Sequence, residues 1–234
     1  MDNTPKLKYF TVLGERCSGT HFVRYAIEWN LNLEYYPTCD KHFFGHDDSV
    51  FQTDKMKETL VVCLFRKPID WLDSYLKRHH QIPVHNWRNT FNYLNNEFYA
   101  IYEVPPNLGK DMEFDYHITE KRRYHNIFEL RKTKYDFLLN KIPTLVDNYM
   151  MLRYEDLRDN YEDTLNNIMR TYNLTPKLEN YKKIVRYKGT YTLEYFKKPI
   201  LLKPHHQEHI LRSIDKEQEE KIEKIDLLGK PNIS

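Results

Sequence analysis

The chain has 234 residues, with 36 Lys and Arg against 34 Asp and Glu for a net charge of +2, and three cysteines. That length suits one sizeable domain, or a core domain with an appended helical region, and needs no disulfide staples. An odd cysteine count without paired spacing argues for a reducing compartment. No run reaches signal-peptide or membrane-span length, so a soluble, cytoplasmic protein with no membrane partner is expected.

Near-neutral charge hides an uneven distribution. Lys and Arg gather at 66–78, 121–134 and 182–203, and acid at 215–226. Basic segments of this kind suit a multiply anionic small ligand. No nucleic-acid motif accompanies them, and nucleic acid is not an expected partner.

In chain order, 7–13 reads as a strand, 19–30 as a helix and 33–36 as a short strand ending at Pro37. The polar, punctuated stretch 38–46 reads as a loop leaving a strand end. Residues 60–65, Leu-Val-Val-Cys-Leu-Phe, form a continuous apolar run, as in a central parallel strand covered on both faces. Pro68 then suits the first turn of a helix running to about His79. Residues 81–117, rich in Pro and Asn, read as an insertion with one helix near 89–102. A long helix is expected over 120–141, a strand over 150–154, a helix over 161–172, and a final helix from Pro204 to about 228. Strands alternating with helices predict an α/β fold, a single domain over 1–234 with a mainly parallel sheet flanked by helices.

The stretch Gly14-Glu15-Arg16-Cys17-Ser18-Gly19-Thr20-His21 lies between the first strand and the first helix. Strand, glycine turn and helix is the signature of a loop that cradles an anion: glycine lets the backbone close, and unpaired amides and the helix dipole favour negative charge. A nucleotide-triphosphatase loop reads G-x-x-x-x-G-K-[ST]. Here Gly14 and Gly19 keep the spacing, but Thr20 replaces the lysine and His21 the magnesium-binding hydroxyl. The loop therefore reads as built for an anion other than magnesium-bound ATP.

A second motif, Leu64-Phe65-Arg66-Lys67-Pro68-Ile69-Asp70-Trp71-Leu72-Asp73-Ser74-Tyr75, resembles the 3′-phosphate-binding segment of sulfotransferases that use 3′-phosphoadenosine 5′-phosphosulfate (PAPS). Arg66 at a strand end offers a forked cation and Ser74, two turns into the helix, a hydroxyl. The first loop resembles that family's 5′-phosphosulfate loop through Ser18-Gly19-Thr20, in a divergent branch with Gly-Glu-Arg-x-Ser-Gly-Thr. Where many members carry a basic residue before Ser-Gly-Thr, this chain has Cys17, with Arg16 one step earlier and Lys41 as a possible substitute. Tyr154-Glu155-Asp156-Leu157 is similar to the segment whose tyrosine lies against the adenine; the residues alone equally allow a core tyrosine and a helix-capping Asp156. Arg186-Tyr187-Lys188-Gly189 is similar to an element that closes over the 3′-phosphate.

The resemblance implies a three-layer P-loop-type fold and transfer of a sulfuryl group from PAPS to a hydroxyl or amine of a small-molecule or glycan acceptor. It assigns donor contacts to Arg16, Cys17, Ser18, Gly19, Thr20, His21, Arg66, Ser74, Tyr154, Lys188 and Gly189. Catalytic roles fall to His42 as base with Arg16 and Lys41; His46 and Glu15 are the alternative bases. No metal is required. Cys39, His42 and His46 do spell a short ligand-like spacing, and His205 and His209 stand four apart, but no further cluster completes a zinc set. A P-loop small-molecule kinase and a non-catalytic nucleotide-binding protein are the rival readings.

Overall fold

The computed structural model describes residues 7–79, 81–102, 112–185 and 199–225. Four strands form the central sheet: β1 (Tyr9–Leu13), β2 (Glu34–Tyr35), β3 (Thr59–Phe65) and β6 (Tyr149–Arg153), in the order β2-β1-β3-β6. All three pairings are parallel, with Leu13 opposite Cys63 and Phe65 opposite Arg153. The fold is therefore α/β with a parallel central sheet.

Every residue of β3 is buried, and alternation divides its side chains between two cores. Leu60, Val62 and Leu64 join Phe10, Val12 and Met150 on one face, covered by α1 (Thr20–Asn30) through Val23, Ala26 and Ile27, and by α8 (Tyr161–Thr171) through Leu165 and Ile168. Val61, Cys63 and Phe65 join Leu13 on the other face, against Phe44, Phe51, Tyr135, Leu138 and Ile142. Burial on both faces explains why β3 is apolar throughout rather than alternating.

A third cluster sits beside the sheet. It joins α2 (Pro68–Arg78), through Trp71, Leu72 and Tyr75, to Tyr93 and Leu94 of α4 (Thr90–Asn95), Leu130 of α5 (Ile127–Asp136) and Ile210 of α9 (Pro204–Ser213). The described part of 81–117 thus helps build a core. It contains α3 (Val84–Trp87) and α4, and then β4 (Ala100–Tyr102), which pairs antiparallel with β5 (Met112–Phe114). The helix expected over 89–102 is the shorter α4, because Phe98 leaves the helical path to exchange backbone bonds with Tyr124 at 2.8 and 3.0 Å.

Two other helices differ from expectation for local reasons. The long helix begins only at Ile127, where the Asn126 side chain accepts from the Phe128 and Glu129 amides; Lys121, six residues earlier, has φ +56°. Past Asp136 it widens into a π turn over Phe137–Lys141 before α6 (Ile142–Leu145). Pro143 brings no N–H to that junction, and widening spares its ring a clash with the preceding turn. The C-terminal helix is broken into α9 and α10 (Lys216–Glu223), since Asp215 caps the second by accepting from the Gln218 amide at 3.0 Å. Between β6 and α8 lies α7 (Tyr154–Asp159). Among the described residues no helix is long and apolar enough to cross a membrane.

Candidate functional site

In this strand order β2 lies on one side of β1 and β3 on the other, so the topology reverses between β1 and β3. Such switch points, at the carboxyl ends of parallel strands, are where open α/β sheets place ligands. Three segments emerge there: the 14–19 loop after β1, Arg66 after β3 and Tyr154 after β6.

Four successive carbonyls of the loop, Gly14 to Cys17, are engaged by the protein. Gly14 O accepts from His42 Nδ1 at 2.7 Å, and Glu15 O from the Ser18 amide at 3.0 Å. Arg16 O accepts from Trp71 Nε1 at 2.8 Å, and Cys17 O from an Arg66 guanidinium nitrogen at 2.6 Å. The donors are treated differently. Ser18 is fully buried, yet its hydroxyl has no hydrogen-bond partner among the described residues, and neither does Arg66 Nε. Helix α1 starts at Gly19, φ +101°, with no side-chain cap on its first amides. Satisfied carbonyls beside an unpaired Ser18 hydroxyl and Arg66 Nε leave those two hydrogen-bond donors for a ligand.

Close packing sets the loop's shape. A Cβ on Gly14 would come within 2.8 Å of Ser18 Oγ. Cys17 takes φ +61°, and burial pushes its thiol up to about 11, so it stays protonated at neutral pH.

The loop at 38–46 folds against this cradle. Gly14 N donates to Lys41 O at 3.0 Å, and Lys41 Nζ lies 2.9 Å from His21 Nε2 in the first turn of α1. His42 is fixed more tightly. Because Gly14 O can only accept, Nδ1 carries the His42 proton and Nε2 keeps a lone pair. Burial draws this imidazole down to about 4, against the opposing pull of its bond to Gly14, so the ring is neutral at physiological pH.

Arg16 occupies a different setting from Lys41. Its side chain is 1% exposed; Nε meets Glu15 Oε1 at 3.0 Å and a terminal nitrogen meets Asp115 Oδ2 at 2.7 Å. The rings of Phe43, Tyr75 and Phe98 surround the guanidinium at 5.1–5.7 Å. Lys134 completes the cluster, with Nζ 2.7 Å from Glu15 Oε2 and 2.6 Å from Asp115 Oδ1. Burial alone would raise the Glu15 carboxyl, but Lys134 and Arg16 overcome it and hold the group down to about 2. Asp115 moves up, because there burial prevails over the same two cations.

Tyr154 is 3% exposed and belongs to the core, with Phe22 edge-on at 5.6 Å and the Arg66 guanidinium 4.6 Å from its ring centre. Asp156 pairs with Arg153 Nε at 2.6 Å. Thr20 is buried at the start of α1, and Ser74 is half-buried on α2. Lys188 and Gly189 lie outside the described residues. Among the described residues no three His, Cys, Asp or Glu side chains gather to hold a metal ion; His209 instead meets Asn95 Oδ1 at 2.9 Å.

The structure thus joins the 14–21 loop, Lys41, His42, Arg66 and Tyr154 in one neighbourhood. Sequence reading missed Trp71 as a carbonyl anchor, and Asp115 and Lys134 as partners of the loop. Their separations of 99 residues from Arg16 and 119 from Glu15 leave no spacing signal. No protein-family model, curated protein or solved structure matches this chain.

Proposed function

We propose that this chain is a PAPS-dependent sulfotransferase with a three-layer, P-loop-type fold, moving a sulfuryl group in line to a hydroxyl or amine of a small-molecule or glycan acceptor. One observation carries the reading: four successive loop carbonyls, Gly14 to Cys17, are occupied by protein donors, while the buried Ser18 hydroxyl and Arg66 Nε have no partner among the described residues. Leaving two buried donors unpaired costs about 1–3 kcal/mol each, a cost that an anion in the cradle would offset. PAPS supplies the sulfuryl group already activated as a mixed anhydride, with an anion at each end. Ser18, the amides opening α1, and Lys41 are suited to the phosphosulfate end, and Arg66 with Ser74 to the 3′-phosphate.

His42 is suited to the base role. Its ring is neutral with Nε2 bearing the lone pair, so it takes the acceptor's proton as the new S–O or S–N bond forms and the old S–O bond breaks toward the phosphate. Thr20 and His21, standing where a magnesium-dependent loop carries lysine and a hydroxyl, favour this donor over ATP. Arg16 is better suited to shaping the loop from behind than to touching the donor, being held by Glu15 and Asp115.

Isothermal titration with adenosine 3′,5′-bisphosphate tests the reading. The wild-type chain is expected to bind, and Arg66→Ala to bind at least about tenfold more weakly. No binding by the wild-type chain overturns the proposal. The buried setting of Arg16 favours a second reading, nucleotide binding without transfer. Tight binding with no sulfate transfer to a broad panel of hydroxyl and amine acceptors would select it.

A further inference from the structure

We propose that Lys134 is the positioning residue of this site, locking His42, the anion loop and the 112–117 segment into one body. The inference rests on the reading of His42 as the base beside that loop. Lys134 stands on α5, far from the loop in sequence, and is fully buried. Lys134 donates hydrogen bonds to Glu15 Oε2 at 2.7 Å and to the backbone oxygen of His42 at 2.7 Å, and its ammonium forms an ion pair with Asp115 Oδ1 at 2.6 Å.

Each acceptor belongs to a different part of the site. Glu15 is in the loop, Asp115 directly follows β5, and His42 is the candidate base. The His42 ring is in turn bonded to Gly14 at the loop's first residue. Main chain and ring of His42 are therefore fixed from two sides, and Lys134 supplies the side that does not depend on the ring. Glu15 and Asp115 balance Arg16 and Lys134, two charges of each sign, so removing any one of the four leaves the enclosed group with a net charge. The charged groups acting on His42 are Glu15, Arg16 and Lys41, with Lys134 on its carbonyl.

Two variants of the full chain separate positioning and charge balance from mere support of the fold. The proton on His42 Cε1 is followed by NMR across a pH titration of the wild-type chain and of both variants. Lys134→Met leaves a net negative cluster, and the His42 titration is expected to rise by about one unit or more. Asp115→Asn leaves a net positive cluster, and the titration is expected to stay at or below the wild-type value. Simple loosening would admit water in both variants and carry both upward toward 6.5. Upward shifts in both, or none in Lys134→Met, overturn the proposal.

If Lys134→Met does not fold, the charge-balanced Lys134→Met/Asp115→Asn chain replaces it. There adenosine 3′,5′-bisphosphate affinity is expected to fall by about tenfold, because the His42 carbonyl loses its Lys134 donor and Glu15 is held by Arg16 alone. Unchanged affinity in that folded chain overturns the proposal. A wild-type chain that fails to bind the nucleotide refutes the sulfotransferase reading instead, and leaves the titration comparison of the single variants intact.

Discussion

The ring of Tyr154 fills the space that a side chain at residue 19 would need: a Cβ on Gly19 would lie 2.4 Å from Tyr154 Cδ2 and 2.7 Å from Cε2. The tyrosine opening α7, directly after β6, and the glycine opening α1 are complementary surfaces, and Arg66 lies over the same ring. Packing, rather than an open aromatic face, is what Tyr154 contributes.

Gly19→Ala should therefore be costly on two counts. Residue 19 has φ +101°, which side chains rarely adopt, and the added methyl overlaps the Tyr154 ring. Together these predict a loss of about 2–4 kcal/mol, read as a lower urea midpoint at unchanged slope. An unchanged midpoint would contradict the packing described.

Ser18→Ala should move stability and binding in opposite directions. The hydroxyl is buried without a partner, so its removal is expected to leave the chain as stable or up to about 1 kcal/mol more stable. Affinity for adenosine 3′,5′-bisphosphate or inorganic sulfate should fall about fivefold or more. Thermal melts with and without ligand read both effects; a Ser18→Ala chain that is clearly destabilised would mean the hydroxyl is already satisfied.

Acid should weaken the fold before carboxylates begin to protonate. The folded His42 ring titrates at about 4, against 6.5 in the unfolded chain. Between those values the unfolded state binds the extra proton, so this contribution is complete above 6.5 and lost as the pH falls toward 4. The full change is about 3 kcal/mol. Denaturant unfolding at a series of pH values should show the slope, and His42→Gln should flatten it. Glu15, held at about 2, adds a loss that begins only below the ordinary carboxyl value of 4.5, and Asp115, shifted upward, opposes it.

Asp73 ties α2 to the segment leading into α9. Its Oδ1 accepts from the Leu201 amide at 2.7 Å and the Leu202 amide at 3.0 Å, and its other oxygen pairs with Lys77. Asp73→Ala leaves those amides unpaired and should cost about 2–4 kcal/mol. Asp73→Asn, which keeps Oδ1 as an acceptor, should cost about half as much. Hydrogen exchange at residues 201 and 202 would rise in the first variant and little in the second; equal exchange in both would contradict the assignment.

Much of the architecture was legible in the sequence because it is local. The apolar run of β3, the glycine turn before α1 and the proline opening α2 each record their structure within a few residues. What failed was also local but finer: Asn126 and Asp215 are caps inside stretches whose periodicity reads as unbroken helix. Periodicity reports which face is apolar and not where a side chain competes for the backbone amides.

Taken alone, the sequence determined the parallel α/β order, the anion-loop pattern and the segments that reach the sheet's carboxyl edge. Only the tertiary structure decided what the charges do there. Arg16, positioned by sequence for the ligand, pairs with Asp115 and Glu15, while Lys41 reaches the first turn of α1. Lys134 enters from α5 to hold both carboxylates and the His42 carbonyl. The reason is physical: burying a charge is expensive unless an opposite charge meets it, and those partners are chosen by how distant segments pack, which spacing along the chain does not encode.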